Sequence, residues 1–133
     1  MAKKLNTNGM QTSHVRLLSE GEAAWIGAMI EAEGSVMPRI TSSRKDAPIC
    51  EINISNTDVE IISTILRFVG DGTIALVDTG VNKPIWRWRL SKTASVCALA
   101  PQIIPWMTTK GSRLIEVLPQ LRARVEEYNA YSG

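Results

Sequence analysis

The stretch IGAMIEAEG, residues 26–34, decides the fold of this chain because it ends a predicted helix and carries both small and acidic side chains. The helix begins at a capping box, in which Ser19 is followed by Glu22 directly before an apolar run. Small residues recur on one helix face at four-residue spacing: Ala24, Ala28 and Ala32, with Gly27 beside them. This stripe would let a second helix backbone approach closely, so the stretch predicts a helix–helix contact.

Glu33 is the last acidic residue of this helix, directly before Gly34. The helix macrodipole disfavours an anion at the C-terminal end, so a carboxylate there usually has a compensating partner. A metal cation, a lysine and plain solvent exposure remain three open explanations.

Outward from this helix, turn signals and apolar spacing predict a series of short elements. The predicted strands are Val36–Ser43, Ile49–Asn56, Thr73–Asp78 and Ile85–Leu90. A turn at Arg44–Pro48 joins the first two strands. A second capping box, Thr57 to Glu60, opens a helix that Gly70 ends, and two further helices cover Thr93–Ile104 and the chain from Lys110 onward, with a kink or restart at Pro119. The order α-β-β-α-β-β-α-α predicts an α+β domain whose antiparallel sheet has helices on one face and leaves the other open.

Composition and charge exclude several classes of protein. The 133 residues have a formal net charge of +2, with one histidine and two cysteines, Cys50 and Cys97. Histidine catalysis and zinc cages are therefore excluded, and the cysteines are expected to be buried reduced thiols. No apolar run is long enough for a membrane span, and the first residues lack a secretory signal. We expect a polar, partly flexible tail over residues 1–18, a single domain over 19–133, and an intracellular, non-secreted protein in a bacterial or phage cytoplasm or an organelle.

Residues 26–34 resemble the LAGLIDADG nonapeptide of homing endonucleases. Ile30, Ala32 and Gly34 are identical to that consensus, and Glu31 and Glu33 occupy its two acidic positions. Three further segments resemble the second strand, the fourth strand and the loop before the last helix of that family: residues 52–58, 86–90 and 104–110. The similarity extends in the same order over about residues 19–120 and identifies the chain as a single-motif member.

The resemblance implies an α-β-β-α-β-β-α fold with a curved four-stranded antiparallel sheet that binds double-stranded DNA. It also implies a homodimer, because the chain carries one motif and the family pairs two, and hence a long pseudo-palindromic site. The implied dimer interface comprises Ala24, Gly27, Ala28, Glu31 and Ala32. The implied activity is metal-dependent, site-specific double-strand cleavage, as in intron-encoded enzymes. The alternative is a DNA- or RNA-binding member without cleavage, such as an intron maturase or a regulator.

The resemblance also implies site residues. Glu33 and the Ala32 carbonyl would bind Mg²⁺, for which Ca²⁺ or Mn²⁺ can substitute in binding or cleavage, and no small-molecule cofactor is implied. Glutamate stands at Glu33 where the family often has aspartate, which leaves metal placement open. Lys110 and Asn56 would complete the catalytic pocket. An ordinary loop lysine and a helix cap beside Thr57 remain the alternatives for these two residues.

DNA contacts are expected from the open face of the sheet, since the major groove admits a β-ribbon. Residues of alternating strand positions and nearby loops supply the expected contacts: Arg39, Thr41, Ser43, Arg44, Lys45, Asn53, Lys83, Arg87 and Arg89. Trp86 and Trp88 alternate with two of the arginines and are expected in the core. Basic strands beside an acidic helix indicate a polyanion partner and a separate carboxylate site.

Overall fold

A computed structural model describes residues 13–41, 44–77, 80 and 83–132 of the chain. Its elements, in chain order, are α1 (Glu20–Glu33), β1 (Gly34–Thr41), β2 (Arg44–Asn56), α2 (Val59–Val69), β3 (Thr73–Val77), β4 (Ile85–Leu90), α3 (Thr93–Ile103), a short 3-10 helix η1 (Ile104–Trp106) and α4 (Thr109–Ser132). The predicted order of helices and strands is confirmed. Within the described residues, no helix has both the length and the apolar character that a membrane crossing requires.

Helix α1 begins at the predicted capping box. The Ser19 hydroxyl accepts a hydrogen bond from the Glu22 backbone N–H at 3.1 Å, and the Ser19 N–H donates to the Glu22 carboxylate at 2.9 Å. Two of the otherwise unpaired N–H groups at the helix start are satisfied in this way. The helix ends at Gly34, where the chain turns directly into β1, so no loop separates the acidic end of α1 from the sheet.

The four strands form one antiparallel sheet in the order β1-β2-β4-β3, curved and not closed. Alternate side chains of β1, β2 and β4 point into the core: Val36, Cys50, Ile52, Ile54, Trp88 and Leu90 are all buried. All four helices contact the sheet or one another on this side. The opposite face therefore stays open, and the α+β fold class is confirmed.

The first hairpin is longer than predicted. Arg44–Pro48, predicted as a turn, is the first part of β2, and Thr41 already pairs with Arg44. The connection therefore lies at residues 42 and 43, outside the described residues. The proline is tolerated because β4 pairs with β2 only from Ile52 onward, which leaves Pro48 without a neighbouring strand on that side.

Helix α2 is capped by a different residue from the predicted one. The cap is Asp58, whose carboxylate accepts from the Glu60 N–H at 2.9 Å, so the capping box at Thr57 is wrong. Asn56 favours Asp58 as the cap, because the Asn56 side-chain oxygen accepts a hydrogen bond from the Asp58 N–H at 2.8 Å and tightens the turn after β2. At the other end, Gly70 adopts a left-handed conformation with φ 83°, as a helix-ending glycine does.

Asp71 joins the segment before α1 to the rest of the core. Its buried carboxylate accepts hydrogen bonds from the His14 N–H at 3.1 Å, the Gly72 N–H at 2.8 Å and the Ser95 hydroxyl. Burial raises the pKa of Asp71, but these donors outweigh it, and the pKa lies below its ordinary value. The described part of the predicted tail, residues 13–18, is thus bound to the domain, and Leu18 is buried.

The last helix is one continuous element. Helix α4 runs through Pro119 from Thr109 to Ser132, so the predicted restart is wrong. Pro119 cannot donate to the carbonyl of Ile115, but both residues are exposed, so water can bind that carbonyl. The preceding helix α3 ends at Ile103, and η1 follows it directly.

Candidate active site and nucleic-acid interface

Glu33 and Asn56 meet at the point where α1 enters the sheet. Gly34 pairs with Ile54 in the β1–β2 register, which brings the last residue of α1 beside the end of β2. The Asn56 amide lies 3.4 Å from the Glu33 carboxylate and donates to it. Asn56 therefore does two things: its nitrogen contacts Glu33 while its oxygen accepts from the Asp58 N–H. The Glu33 side chain is exposed and available to a ligand.

Glu31 and Lys110 join the end of α1 to the start of α4 by two reciprocal sets of hydrogen bonds. The Glu31 carboxylate accepts from the backbone N–H groups of Thr108 at 2.6 Å and Lys110 at 3.0 Å. The Lys110 ammonium donates to the carbonyls of Ile30 at 3.3 Å, Glu31 at 2.9 Å and Gly34 at 2.8 Å. We call this arrangement the α1–α4 clasp. It satisfies backbone groups that both helix ends would otherwise leave unpaired.

The charges of the clasp agree with both helix dipoles. An anion lies at the N-terminus of α4 and a cation at the C-terminus of α1. Burial raises the pKa of Glu31, but the N–H groups of Thr108, Lys110 and Gly111 outweigh it, so the pKa lies below its ordinary value. The Lys110 cation is thus the compensating charge for the α1 end, whereas Glu33 has the Asn56 amide as a contact.

The oxygen atoms at the end of α1 fit a hard divalent cation such as Mg²⁺, which prefers carboxylate and carbonyl ligands. Glu33 and Ala32 are both exposed there. Among the described residues, no group of three or more histidines, cysteines or acidic residues could hold a metal ion. A metal ion at Glu33 would therefore have fewer than three such ligands from the described part of one chain, and its other ligands would come from water, phosphate or a second chain.

The expected dimer residues fall into two groups. Ala28 and Ala32 are exposed and Ala24 is half-buried, so this stripe is available to a second helix. Gly27, in contrast, is buried inside its own chain: a Cβ there would lie 2.9 Å from the Trp106 Cβ and 3.0 Å from the Ile103 carbonyl oxygen. Its lack of a side chain lets η1 pack against α1, which sequence spacing did not reveal.

The open face of the sheet carries exposed arginines with polar neighbours. The Arg87 Nε donates to the Ser55 hydroxyl at 3.0 Å, and the Arg87 side chain is exposed. The Arg89 guanidinium lies 3.9 Å from the Glu51 carboxylate, and the Asn53 amide donates to the same carboxylate at 2.8 Å. Arg87, Arg89 and Asn53 are therefore brought together on one face, as predicted from their alternation.

The remaining expected DNA contacts are only partly described. Arg39 is exposed on β1 and Lys83 is exposed before β4. Thr41, Arg44 and Lys45 lie in paired strands, but their side chains lie outside the described residues, as does all of Ser43. Glu51 and Ser55 were not among the DNA contacts predicted from the sequence. Their place in the alternation of β2 was the available signal, because it puts both on the face that carries Arg87 and Arg89.

The predicted core position of Trp88 is confirmed: it is fully buried and its indole N–H donates to the Asp71 carbonyl at 3.0 Å.

No protein-family model matches this chain, and no curated protein does either. Solved structures do match. The homing endonuclease I-CvuI, crystallised with the I-CreI target in the presence of 2 mM Mg with the DNA not cleaved, has 18% identity and a TM-score of 0.66 over 77% of this chain and 67% of its own. The intron-encoded homing endonuclease I-CeuI, complexed with DNA, has 12% identity and a TM-score of 0.57 over 86% of this chain and 58% of its own.

A third match is a longer protein. The I-SmaMI LAGLIDADG homing endonuclease, bound to cleaved DNA, has 19% identity and a TM-score of 0.56 over 90% of this chain. This chain spans only 39% of that protein. The described structure has the order of helices and strands that was predicted from the sequence. The chain therefore has the fold of the LAGLIDADG homing endonucleases.

Proposed function

We propose that this protein is a site-specific double-strand DNA endonuclease that acts as a homodimer on a long pseudo-palindromic site and uses a divalent metal, with Mg²⁺ as the expected ion. One observation carries the proposal. The exposed Glu33 carboxylate, with Asn56 beside it, lies at the edge of an open sheet face that presents Arg87 and Arg89. A polyanion bound along the arginines would place its backbone near this carboxylate. A protein that only binds DNA would not need a carboxylate so close to phosphate.

The chemistry of the site is phosphodiester hydrolysis. In the proposal Glu33 and the Ala32 carbonyl hold the metal, which would supply Lewis-acid stabilisation of the phosphate and an activated water. Asn56 orients the Glu33 carboxylate through its amide and can hold a water with the rest of its hydrogen-bonding capacity. A low histidine content is compatible with this chemistry, since metal-bound water needs no imidazole base.

Lys110 enters the proposal as a positioning residue. Its three ammonium donors match the three carbonyl oxygens around the end of α1, including that of Gly34, directly after Glu33. It therefore holds the backbone that carries the carboxylate and adds a positive charge close to where phosphate would bind. A catalytic role through direct phosphate contact would require Lys110 to leave these carbonyls.

The homodimer is supported by the exposed face of α1. Ala28 and Ala32 present small side chains to solvent on the helix that ends at the proposed site. Two copies packed through this stripe would bring two Glu33 side chains together, one for each DNA strand. Closed two-fold symmetry of this kind predicts a symmetric DNA site.

The test is a cleavage selection. Purified protein is incubated in Mg²⁺ with a library of partly palindromic duplexes, beside a Glu33→Gln variant of nearly the same size, and the cut ends are sequenced. We expect a symmetric consensus cut on both strands by the wild type, and a loss of about a hundred- to a thousandfold in rate for Glu33→Gln, the range typical of one essential electrostatic group. Glu116→Gln, which removes an exposed carboxylate on α4, is the matched control and should cut normally.

A second candidate function is DNA or RNA binding without cleavage, as in an intron maturase or a regulator. The observation that favours it is that the described residues of one chain bring no three histidine, cysteine or acidic side chains together as a possible metal site. This candidate predicts that no duplex is cut in Mg²⁺, while a symmetric subset of duplexes is retained in Ca²⁺ with an affinity that falls as salt rises. Equal cleavage by wild type and Glu33→Gln would contradict the proposed role of Glu33.

A further inference from the structure

Glu51 is an acid on a face that otherwise suits a polyanion. It is the only acidic residue among the described side chains of the open face, where Arg39, Arg87 and Arg89 are exposed. A carboxylate there would repel a phosphate backbone. Its presence therefore calls for a physical reason.

Folding alone does not supply that reason. The ion pair between Glu51 and Arg89 is 3.9 Å long, and the arginine side chain is 55% exposed. An exposed pair of this kind contributes little to stability. Asn53 donates to Glu51 at 2.8 Å, but a neutral residue could accept that hydrogen bond equally well. The carboxylate charge is thus of little use to the isolated chain.

The contacts of Glu51 hold it in one place. The Glu51 side chain is only 17% exposed, and its Oε2 is bound by the Asn53 amide. Its other oxygen, Oε1, faces Arg89, which lies directly opposite Asn53 in the β2–β4 register. A carboxylate has about four lone-pair sites, so acceptor capacity remains after these contacts. Glu51 is therefore an oriented acceptor beside an arginine.

Arg89 keeps its donors. At 3.9 Å the Glu51 oxygen is beyond hydrogen-bond distance, so the guanidinium is attracted to Glu51 without donating to it. Arg87 is held in another way, through its Nε and the neutral Ser55 hydroxyl. The two arginines of β4 thus differ in one respect: Arg89 has an anionic acceptor next to it and Arg87 has a hydroxyl.

A donor and an acceptor side by side match one base pair in the major groove. Guanine presents two acceptors, O6 and N7, and its paired cytosine presents the N4 amine as a donor. Neither edge of an adenine–thymine pair offers this combination in the same order. Exchanging guanine and cytosine between the strands would place donor against donor and acceptor against acceptor, so the pair also distinguishes orientation.

We propose that Arg89 and Glu51 together read one guanine–cytosine pair in each half-site, Arg89 donating to guanine O6 and N7 and Glu51 accepting from cytosine N4. This inference rests on the proposed function, namely that the open face binds duplex DNA. Asn53 is a positioning residue in this reading, because it holds the Glu51 carboxylate. The negative charge of Glu51 lowers affinity for DNA in general and raises discrimination at one position.

The experiment measures base preference at every position of the site by binding selection in Ca²⁺, for wild type, Glu51→Gln and Arg89→Ala. We expect both variants to lose preference at the same position, where the wild type prefers guanine–cytosine by roughly 5- to 100-fold, the range of one good base contact. In Glu51→Gln the single amide oxygen would accept from Asn53, which leaves an NH2 group, a donor, facing the cytosine amine. Glu51→Gln should also bind unrelated duplexes more tightly, because a phosphate-repelling charge is gone. Glu60→Gln, which removes an exposed acid on α2, is the charge-matched control and should alter no base preference.

A second measurement leaves the protein unchanged. The cytosine at that position is replaced with N4-methylcytosine, which occupies the groove-facing donor, or with 5-methylcytosine as a control. The N4-methyl duplex should lose affinity for wild type and lose none for Glu51→Ala. The inference is overturned if Glu51→Gln shifts affinity equally for all duplexes, if the two variants alter different positions, or if the N4-methyl group has no effect. A wild type without any sequence preference would overturn the proposed function as well, whereas a wild-type consensus unaffected by Glu51→Gln would overturn only this inference.

Discussion

The α1–α4 clasp and the open face of the sheet each combine a glutamate with a basic residue, but the charged groups are used differently. In the clasp, Glu31 and Lys110 form hydrogen bonds of 2.6–3.3 Å to backbone groups of their own chain. On the open face, Glu51 and Arg89 approach only to 3.9 Å and remain partly exposed. The charged groups of the clasp make their hydrogen bonds within the protein. Those of the open face keep donors and acceptors that a bound partner could use.

The difference separates stability from recognition. A charged group that satisfies several backbone groups contributes to folding, because its loss leaves those groups unpaired. An exposed ion pair contributes little to folding but can rearrange around a ligand at small cost. Removing charges from the two regions should therefore give different kinds of loss, and three predictions follow that comparison from the largest effect to the smallest.

Lys110→Met tests the clasp against the open face most directly. The substitution removes the ammonium that donates to the Ile30, Glu31 and Gly34 carbonyls, of which only that of Ile30 is known to keep another donor, the Gly34 N–H. We expect it to lower the free energy of unfolding by about 2–3 kcal/mol. Arg89→Met removes one positive charge from the open face and should change that free energy by less than about 0.5 kcal/mol. Urea unfolding of both variants checks this. Equal losses would mean that the two regions do not differ as described.

Gly27→Ala and Ala28→Leu test neighbouring positions on α1 that face different surroundings. A methyl group at Gly27 would collide with Trp106 and the Ile103 carbonyl, so we expect about 1–2 kcal/mol of destabilisation from overpacking. Ala28 is exposed, so its replacement by leucine should leave the fold of one chain intact and disturb only the proposed homodimer. Thermal unfolding measures the first effect and solution mass the second. An unchanged mass and DNA affinity for Ala28→Leu would contradict the proposed helix–helix contact.

Glu31→Gln tests the charge of the clasp through pH. The pKa of Glu31 lies below its ordinary value in the folded chain, so the folded state binds its proton less readily than the unfolded state does. The stabilisation is therefore present above the unfolded pKa, about 4.3, and is lost as the pH falls through the folded pKa. Urea midpoints between pH 7 and pH 3 should fall more steeply for wild type than for Glu31→Gln. Glu116→Gln, on the exposed side of α4, should keep the wild-type slope, and an unaltered slope for Glu31→Gln would argue against a charged clasp.

Local patterns explain why so much of the fold could be predicted. Helix spacing, strand alternation and the capping box at Ser19 each depend on residues a few positions apart, and all are confirmed. The errors were local as well. The cap of α2 moved from Thr57 to Asp58 because Asn56 forms its own turn, and the hairpin lengthened because Pro48 lies where β2 has no second neighbour.

The sequence by itself determined the element order, the open and buried faces of the sheet, and the position of Glu33 at the end of α1. These follow from periodicity and from the chemistry of helix ends, which act over one or two turns. Only the tertiary structure decided that Lys110 binds carbonyls of a helix some 80 residues earlier, that Gly27 belongs to the chain's own packing, and that Glu51 lies beside Arg89. The physical reason is that such contacts depend on how whole elements pack, and no spacing within one element encodes the distance between two.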